Sequence, residues 1–85
     1  MNEDFLIPEE AKLEINLHDM QVFEAEYYLD KFITTAPANI KEIIVIHGYK
    51  KGQALLNMVR HEFKHERIKE KVIPYNKGIT LIFLK

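Results

Sequence analysis

Two histidines in the 85-residue sequence each follow a short apolar segment and precede a predicted helix. His18 comes directly after Leu17, and His47 comes directly after Ile46. A neutral imidazole can take a proton from a nucleophile or, once charged, donate one to a leaving group. Free backbone N–H groups at the start of a helix favour a bound anion. These junctions predict a site for a phosphate group, and phosphodiester cleavage if a nucleophile is activated there.

The loop after the second histidine supplies charge and backbone freedom. It has a glycine at each end, Gly48 and Gly52, with Lys50 and Lys51 between them. Glycine lets a backbone approach a ligand closely, and ammonium groups attract phosphates. We therefore predict that this loop binds nucleic acid, together with Arg60 on the following helix.

Each of these residues also has a purely structural interpretation. His18 could serve only to satisfy backbone groups at a strand end, and His47 with Gly48 could form only a tight turn. A shared site is favoured if the two preceding strands are parallel neighbours, since both histidines then lie at the carboxyl edge of the sheet. Open α/β sheets usually bind their ligands at that edge.

A further histidine pair, His61 and His65, fits the H-E-x-x-H pattern of zinc proteases. Val59 and Phe63 are predicted to face the core, and a helix turns about 100° per residue. Both histidines are therefore expected to point to solvent. We predict no protease site here and assign no metal ligands.

Hydrophobic periodicity predicts an α/β fold, an α+β two-layer sandwich. Asp19 is the expected N-cap of the first helix, and Pro37 lies beyond its end. The order β-α-β-α-β-β predicts a mixed four-stranded sheet with both helices on one face. The predicted elements are strands over 12–17, 41–46, 69–75 and 79–84, and helices over 20–36 and 53–64.

The other face of the sheet is expected to be apolar. The residues predicted to point there are Ile44, Ile46, Ile82 and Leu84. Residues 1–10 are interpreted as an N-terminal extension to a domain over 11–85. The apolar segment 5–7 in that extension is predicted to lie across this face, and a homodimer through the same face is the alternative.

The charge distribution and the composition limit the kinds of partner and site that the protein is expected to have. Residues 1–30 carry nine acidic residues and one lysine, a net charge of −8, whereas residues 31–85 carry eleven basic and four acidic residues, a net charge of +7. The basic part is able to face phosphates. The chain has no cysteine, which excludes disulfides and thiolate zinc sites. No apolar run approaches the ~18 residues of a membrane span, and the acidic start predicts a cytoplasmic protein.

Two segments resemble a known family. Residues 15–19, I-N-L-H-D, resemble the L-D-L-H-G opening of Smr (small MutS-related) domains, and residues 44–52, I-V-I-H-G-Y-K-K-G, resemble the family's I-I-H-G-x-G-x-G segment. The resemblance covers residues 11–85. It implies the fold of the C-terminal domain of translation initiation factor three, binding to DNA or RNA, and endonuclease activity in several members.

The resemblance also implies roles for individual residues. His18 matches the histidine of the first motif, and His47, Gly48 and Gly52 match the second. With Asn16, the two histidines are the predicted catalytic residues, and Mg²⁺ or Mn²⁺ is the expected cofactor if the protein is catalytic.

Three departures from the family pattern favour an alternative. Asn16 stands where the family has aspartate, Asp19 replaces a glycine, and Lys50-Lys51 replaces a G-T pair. An amide can form hydrogen bonds but cannot take a proton. The alternative is therefore a nucleic-acid-binding or protein-interaction module that has lost cleavage.

Overall fold

The computed structural model describes residues 11–50 and 52–85. The predicted N-terminal extension, with its apolar segment 5–7, and Lys51 lie outside the described residues. The elements are β1 (Lys12–Asn16), α1 (Val22–Thr35), β2 (Glu42–Ile46), α2 (Ala54–Asn57) continuing as a π-helical turn (Met58–Glu62), β3 (Ile68–Val72) and β4 (Ile79–Leu84). The strand order is β1-β2-β4-β3. β1 is parallel to β2, and β4 is antiparallel to β2 and β3, which confirms the predicted mixed sheet.

The core lies between the helices and one face of the sheet. The residues that are fully buried there include Leu17, Ala25, Leu29, Ile33, Ile43, Val45, Val59 and Ile82. They recur at spacings of four on α1 and of two on the strands, as amphipathic elements require. Among residues 11–50 and 52–85, no helix is long and apolar enough to cross a membrane.

The face assigned to β4 from its sequence is wrong. Ile82 lies opposite Ile43 in the antiparallel register, and directly opposed residues point to the same face. Ile82 and Leu84 therefore pack under the helices and are buried. Leu81 and Phe83 lie on the open face and are partly exposed. A shift of one residue moves every side chain of a strand to the other face, and the pattern of β4 is apolar on both faces.

The expected N-cap of α1 is also wrong. The N–H of Met20 donates to the Leu17 carbonyl at 3.0 Å, which closes a turn before the helix begins. Asp19 lies within that turn at φ 72°, two residues before the N-cap position. Gln21 is the N-cap instead, and its N–H donates to Glu24 Oε1 at 3.4 Å.

The second helix and the third strand are shorter than predicted. The N–H of Phe63 donates to the Met58 carbonyl at 2.7 Å, an i→i+5 bond that closes the π-helical turn and ends the helix at Glu62. β3 ends at Val72, before Pro74, which has no N–H to donate to a sheet.

This early end separates the two histidines of the H-E-x-x-H pattern. His61 is exposed on the π-helical turn. His65 lies beyond the helix, and the prediction that it points to solvent is wrong, because its side chain is only 10% exposed. Its Nε2 lies 3.0 Å from Thr34 Oγ1, and its Nδ1 accepts the Arg67 N–H. The two histidines therefore do not share a helix face.

Candidate functional site

The parallel pairing of β1 and β2 delivers His18 and His47 to the same edge of the sheet. Asn16, at the end of β1, lies opposite Ile46, at the end of β2. An open cleft of about 450 Å³ lies beyond these ends. Its lining residues are His18, Asp19, Met20, Gln21, Val22, His47, Tyr49, Lys50, Gly52, Ala54 and Leu55. The cleft thus contains both histidines and, from the described part of the glycine loop, Lys50.

The two histidines differ sharply in their surroundings. His47 is 3% exposed. Its Nδ1 lies 2.8 Å from the Gly48 carbonyl oxygen, and its Nε2 lies 2.8 Å from Thr80 Oγ1. Both ring nitrogens are therefore engaged within the protein, so His47 has no free nitrogen for a proton transfer to a ligand. This geometry matches the structural interpretation of His47 and Gly48 as a turn.

Burial lowers the pKa of His47 below 6.5, against the hydrogen bond to the Gly48 carbonyl, which raises it; the nearby Arg60 guanidinium lowers it further. The ring is therefore neutral at physiological pH, and protonating it opposes folding.

We expect the protein to lose stability as the pH falls below the pKa of a free histidine. The unfolded chain binds a proton at this position near pH 6.5, whereas the folded protein does so only at lower pH. Between these two pKa values the unfolded state binds more protons than the folded state. Lowering the pH through this window therefore decreases the free energy of unfolding. Urea unfolding at about pH 7.5 and about pH 5.5 measures this loss. The loss of stability between the two pH values should be smaller in His47→Asn and unchanged in His61→Asn. An undiminished loss in His47→Asn would show that the buried His47 ring is not its cause.

His18 is the accessible imidazole, with a side chain that is 49% exposed. Its ring lies against Gly48, where an added Cβ would come within 2.8 Å of His18 Cδ2. Gly48 has φ 74° and rests in turn on Gly78. The Gly78 carbonyl accepts the N–H groups of His47 and Gly48 at 2.9 and 3.0 Å. Because neither glycine has a side chain, the turn before β4 packs directly against the loop that lies beneath the His18 ring.

The carboxylate of Asp19, the residue expected to cap α1, lies beside this ring. Asp19 Oδ2 is 3.1 Å from His18 Nδ1. On the other side, Asn16 Oδ1 accepts the backbone N–H of His18 at 2.8 Å. Asp19 is 54% exposed, so this contact contributes little to stability in water. Its geometric effect is larger, because a carboxylate on Nδ1 directs Nε2 away from it.

Of the remaining predicted site residues that the structure describes, some lie at the cleft and Arg60 does not. Lys50 and Gly52 line the cleft, and Lys50 is exposed. Arg60 does not line it. Its Nε donates to Thr80 Oγ1 at 2.8 Å, and its Nη2 donates to the Ile79 carbonyl at 2.9 Å. These contacts bind the guanidinium to β4, so the structure offers no support for Arg60 as a nucleic-acid ligand.

The described residues give little support for a protein-held metal. No group of three or more His, Cys, Asp or Glu side chains among residues 11–50 and 52–85 is arranged to hold an ion. At the cleft, Asp19 supplies one carboxylate, and both nitrogens of His47 are engaged. The donor set that the structure describes therefore does not fit a Mg²⁺ or Mn²⁺ cage.

Exposed aromatic side chains continue the cleft along α1. Phe23 and Tyr27 are about two-thirds exposed, and Tyr28 is 46% exposed. They line a second hollow that shares Met20 with the cleft. These three residues were not among the predicted site residues, although three aromatic side chains outside the apolar stripe of α1 are recognisable in the sequence.

Comparison with known proteins identifies a family that the sequence and the fold match. A family model described as the Smr domain matches residues 15–85. The crystal structure of the Smr domain of Thermus thermophilus MutS2 is similar in fold, with a TM-score of 0.75 and 23% sequence identity over 85% of this chain and 96% of that chain. No curated protein sequence matches the chain significantly.

Proposed function

Because the chain belongs to the Smr domain family, a family of nucleic-acid-binding and nicking-endonuclease domains, we propose that it binds the phosphate backbone of DNA or RNA at the cleft beside His18. One observation carries the proposal: an exposed imidazole, an exposed lysine and a glycine loop meet at the carboxyl edge of two parallel strands. Backbone groups and cations positioned in this way favour phosphate.

Charge neutralisation at Lys50 is the first test of binding. Lys50→Gln removes an ammonium group from the cleft, and Lys69→Gln removes one from β3, at the far edge of the sheet. We expect Lys50→Gln to weaken oligonucleotide binding and to reduce the slope of log affinity against log salt by about 1. Fluorescence anisotropy over a salt series measures both quantities. Equal effects of the two substitutions would show that the attraction is not localised at the cleft.

Cleavage is a second candidate function, which the pairing of His18 with Asp19 favours. With the carboxylate on Nδ1, His18 Nε2 would accept a proton from water as that water attacks phosphorus. The O–P bond to the leaving oxygen then breaks, and that oxygen takes up a proton. Asn16 does not supply the family's carboxylate, but Asp19 supplies one three residues later. The alternative remains a module that binds without cleaving.

A nicking assay separates these two candidates. Supercoiled plasmid and structured RNA are incubated with the wild type, His18→Ala, Asp19→Asn and, as a control, His61→Ala, with and without Mg²⁺ or Mn²⁺. We expect nicking to fall on the order of 100-fold in His18→Ala and less in Asp19→Asn, with His61→Ala unchanged. Binding by a wild type that never cleaves would establish the non-catalytic alternative. No nucleic-acid affinity even at ~50 mM salt would favour a protein-interaction module instead.

A further inference from the structure

A chain of hydrogen bonds joins the second helix to the loop of the cleft. Arg60 Nε donates to Thr80 Oγ1 at 2.8 Å, and the same oxygen lies 2.8 Å from His47 Nε2. His47 Nδ1 then lies 2.8 Å from the Gly48 carbonyl oxygen. Thr80 is fully buried, and His47 nearly so, so little water competes for these bonds. Each bond therefore depends on its neighbours in the chain.

In this series of hydrogen bonds, the groups at the two ends determine which atom donates and which accepts in each bond. A carbonyl oxygen only accepts, so Nδ1 of His47 carries the hydrogen that meets Gly48. In the neutral ring Nε2 then holds a lone pair, which accepts the hydroxyl hydrogen of Thr80. At the other end the Arg60 guanidinium only donates, so Thr80 Oγ1 accepts from it. The hydroxyl of Thr80 therefore donates to His47, and the His47 ring takes the tautomer with its proton on Nδ1.

The last bond orients the peptide group between Gly48 and Tyr49. No peptide bond among the described residues is cis, and in a trans peptide the carbonyl and the N–H point in opposite directions. Since the Gly48 carbonyl points at the buried His47 ring, the N–H of Tyr49 points away from that ring. Within 11–50 and 52–85, no residue accepts a hydrogen bond from this N–H. Tyr49 lines the cleft beside Lys50.

We propose that Arg60 and Thr80 are positioning residues that act through His47 to keep the Tyr49 N–H turned toward a phosphate bound in the cleft. The inference rests on the proposed phosphate-binding function and names a backbone donor for it. Without the Thr80 hydroxyl, His47 Nε2 loses its donor, only the Gly48 carbonyl still favours the Nδ1 tautomer, and the other tautomer gains population. The Gly48 carbonyl, on a residue with wide backbone freedom, would then turn outward and repel phosphate.

A matched pair of substitutions at one position tests this. In the full chain, Thr80→Val keeps the branched shape and removes the hydroxyl, whereas Thr80→Ser keeps the hydroxyl. The first measurement is the ¹⁵N spectrum of the His47 ring without ligand at about pH 7.5, where the ring is neutral. The wild type and Thr80→Ser should show a proton on Nδ1 and a lone pair on Nε2, and Thr80→Val should show a mixture of tautomers.

The second measurement is affinity for a fluorescent hexathymidylate. We expect Thr80→Val to bind roughly tenfold more weakly, a change of about 1.4 kcal/mol, and Thr80→Ser to bind nearly as the wild type does. A wild-type ring spectrum in Thr80→Val, or equal affinities of the two variants, would overturn the proposal. A wild type that binds no oligonucleotide overturns the phosphate-binding function itself, whereas the ligand-free spectrum still decides whether Thr80 sets the tautomer.

Discussion

Gly48→Ala is expected to reduce nucleic-acid affinity by roughly tenfold or more, equivalent to about 1.4 kcal/mol. A methyl group at this position would lie 2.8 Å from His18 Cδ2, so the imidazole has to move. The backbone also has φ 74°, and a non-glycine residue in that region costs about 1–2 kcal/mol. The substitution therefore displaces the accessible histidine and strains the loop. Anisotropy titrations measure the affinity, and urea unfolding measures the stability.

Gly52→Ala is the matched control for this substitution. Gly52 also has a positive φ, 125°, but a Cβ there would meet nothing within 4 Å. Both variants strain the backbone of the same loop, and only Gly48→Ala pushes on His18. Affinity should therefore fall more in Gly48→Ala than in Gly52→Ala. Equal losses would mean that loop strain alone, rather than the position of His18, governs binding.

Lys71→Met is expected to lower the free energy of unfolding by about 2 kcal/mol, the scale of hydrogen bonds to a charged group. Lys71 Nζ donates to the Val59 and Phe63 carbonyls at 2.8 and 2.6 Å, at the end of the π-helical turn. Burial lowers the pKa of Lys71, and repulsion from Lys64 lowers it further, which offsets part of the gain. The loss nevertheless exceeds the offset, because methionine leaves both carbonyls without this donor.

Lys69→Met provides the comparison for this prediction. Lys69 is exposed on the same strand, and substitutions at such positions usually change stability by less than about 0.5 kcal/mol. Urea unfolding of both variants under identical conditions measures the difference. Similar stabilities for Lys71→Met and Lys69→Met would show that the lysine does not cap the helix end.

The sequence was sufficient to predict the elements that position the cleft. Alternating apolar residues in β1 and the β-branched run of β2 predicted two strands, and the intervening helix favoured their parallel pairing. That pairing is confirmed, and it is the reason that His18 and His47 meet at one edge. The side of β4 was not predictable, because Leu81 and Ile82 are equally apolar and only the pairing register distinguishes them.

Two features of the site depend on contacts that local sequence does not encode. Thr80 meets His47 across 33 positions of the chain, and no spacing rule connects a β4 hydroxyl with a loop histidine. Asp19 was interpreted as an N-cap because that is the common use of aspartate before a helix. The turn closed by Met20 and Leu17 moved it to a positive φ and beside His18 instead.

The central claim is that nucleic acid binds at the cleft beside His18 and the glycine loop. Backbone amide shifts of the ¹⁵N-labelled protein, followed during titration with short DNA and RNA oligonucleotides, test it most directly. The claim predicts that the largest shifts fall on residues 17–22 and 47–50, on both sides of the cleft. Shifts confined to β3 or to the open face of the sheet would contradict it, and so would the absence of any shift at ~50 mM salt, where phosphate contacts are strong.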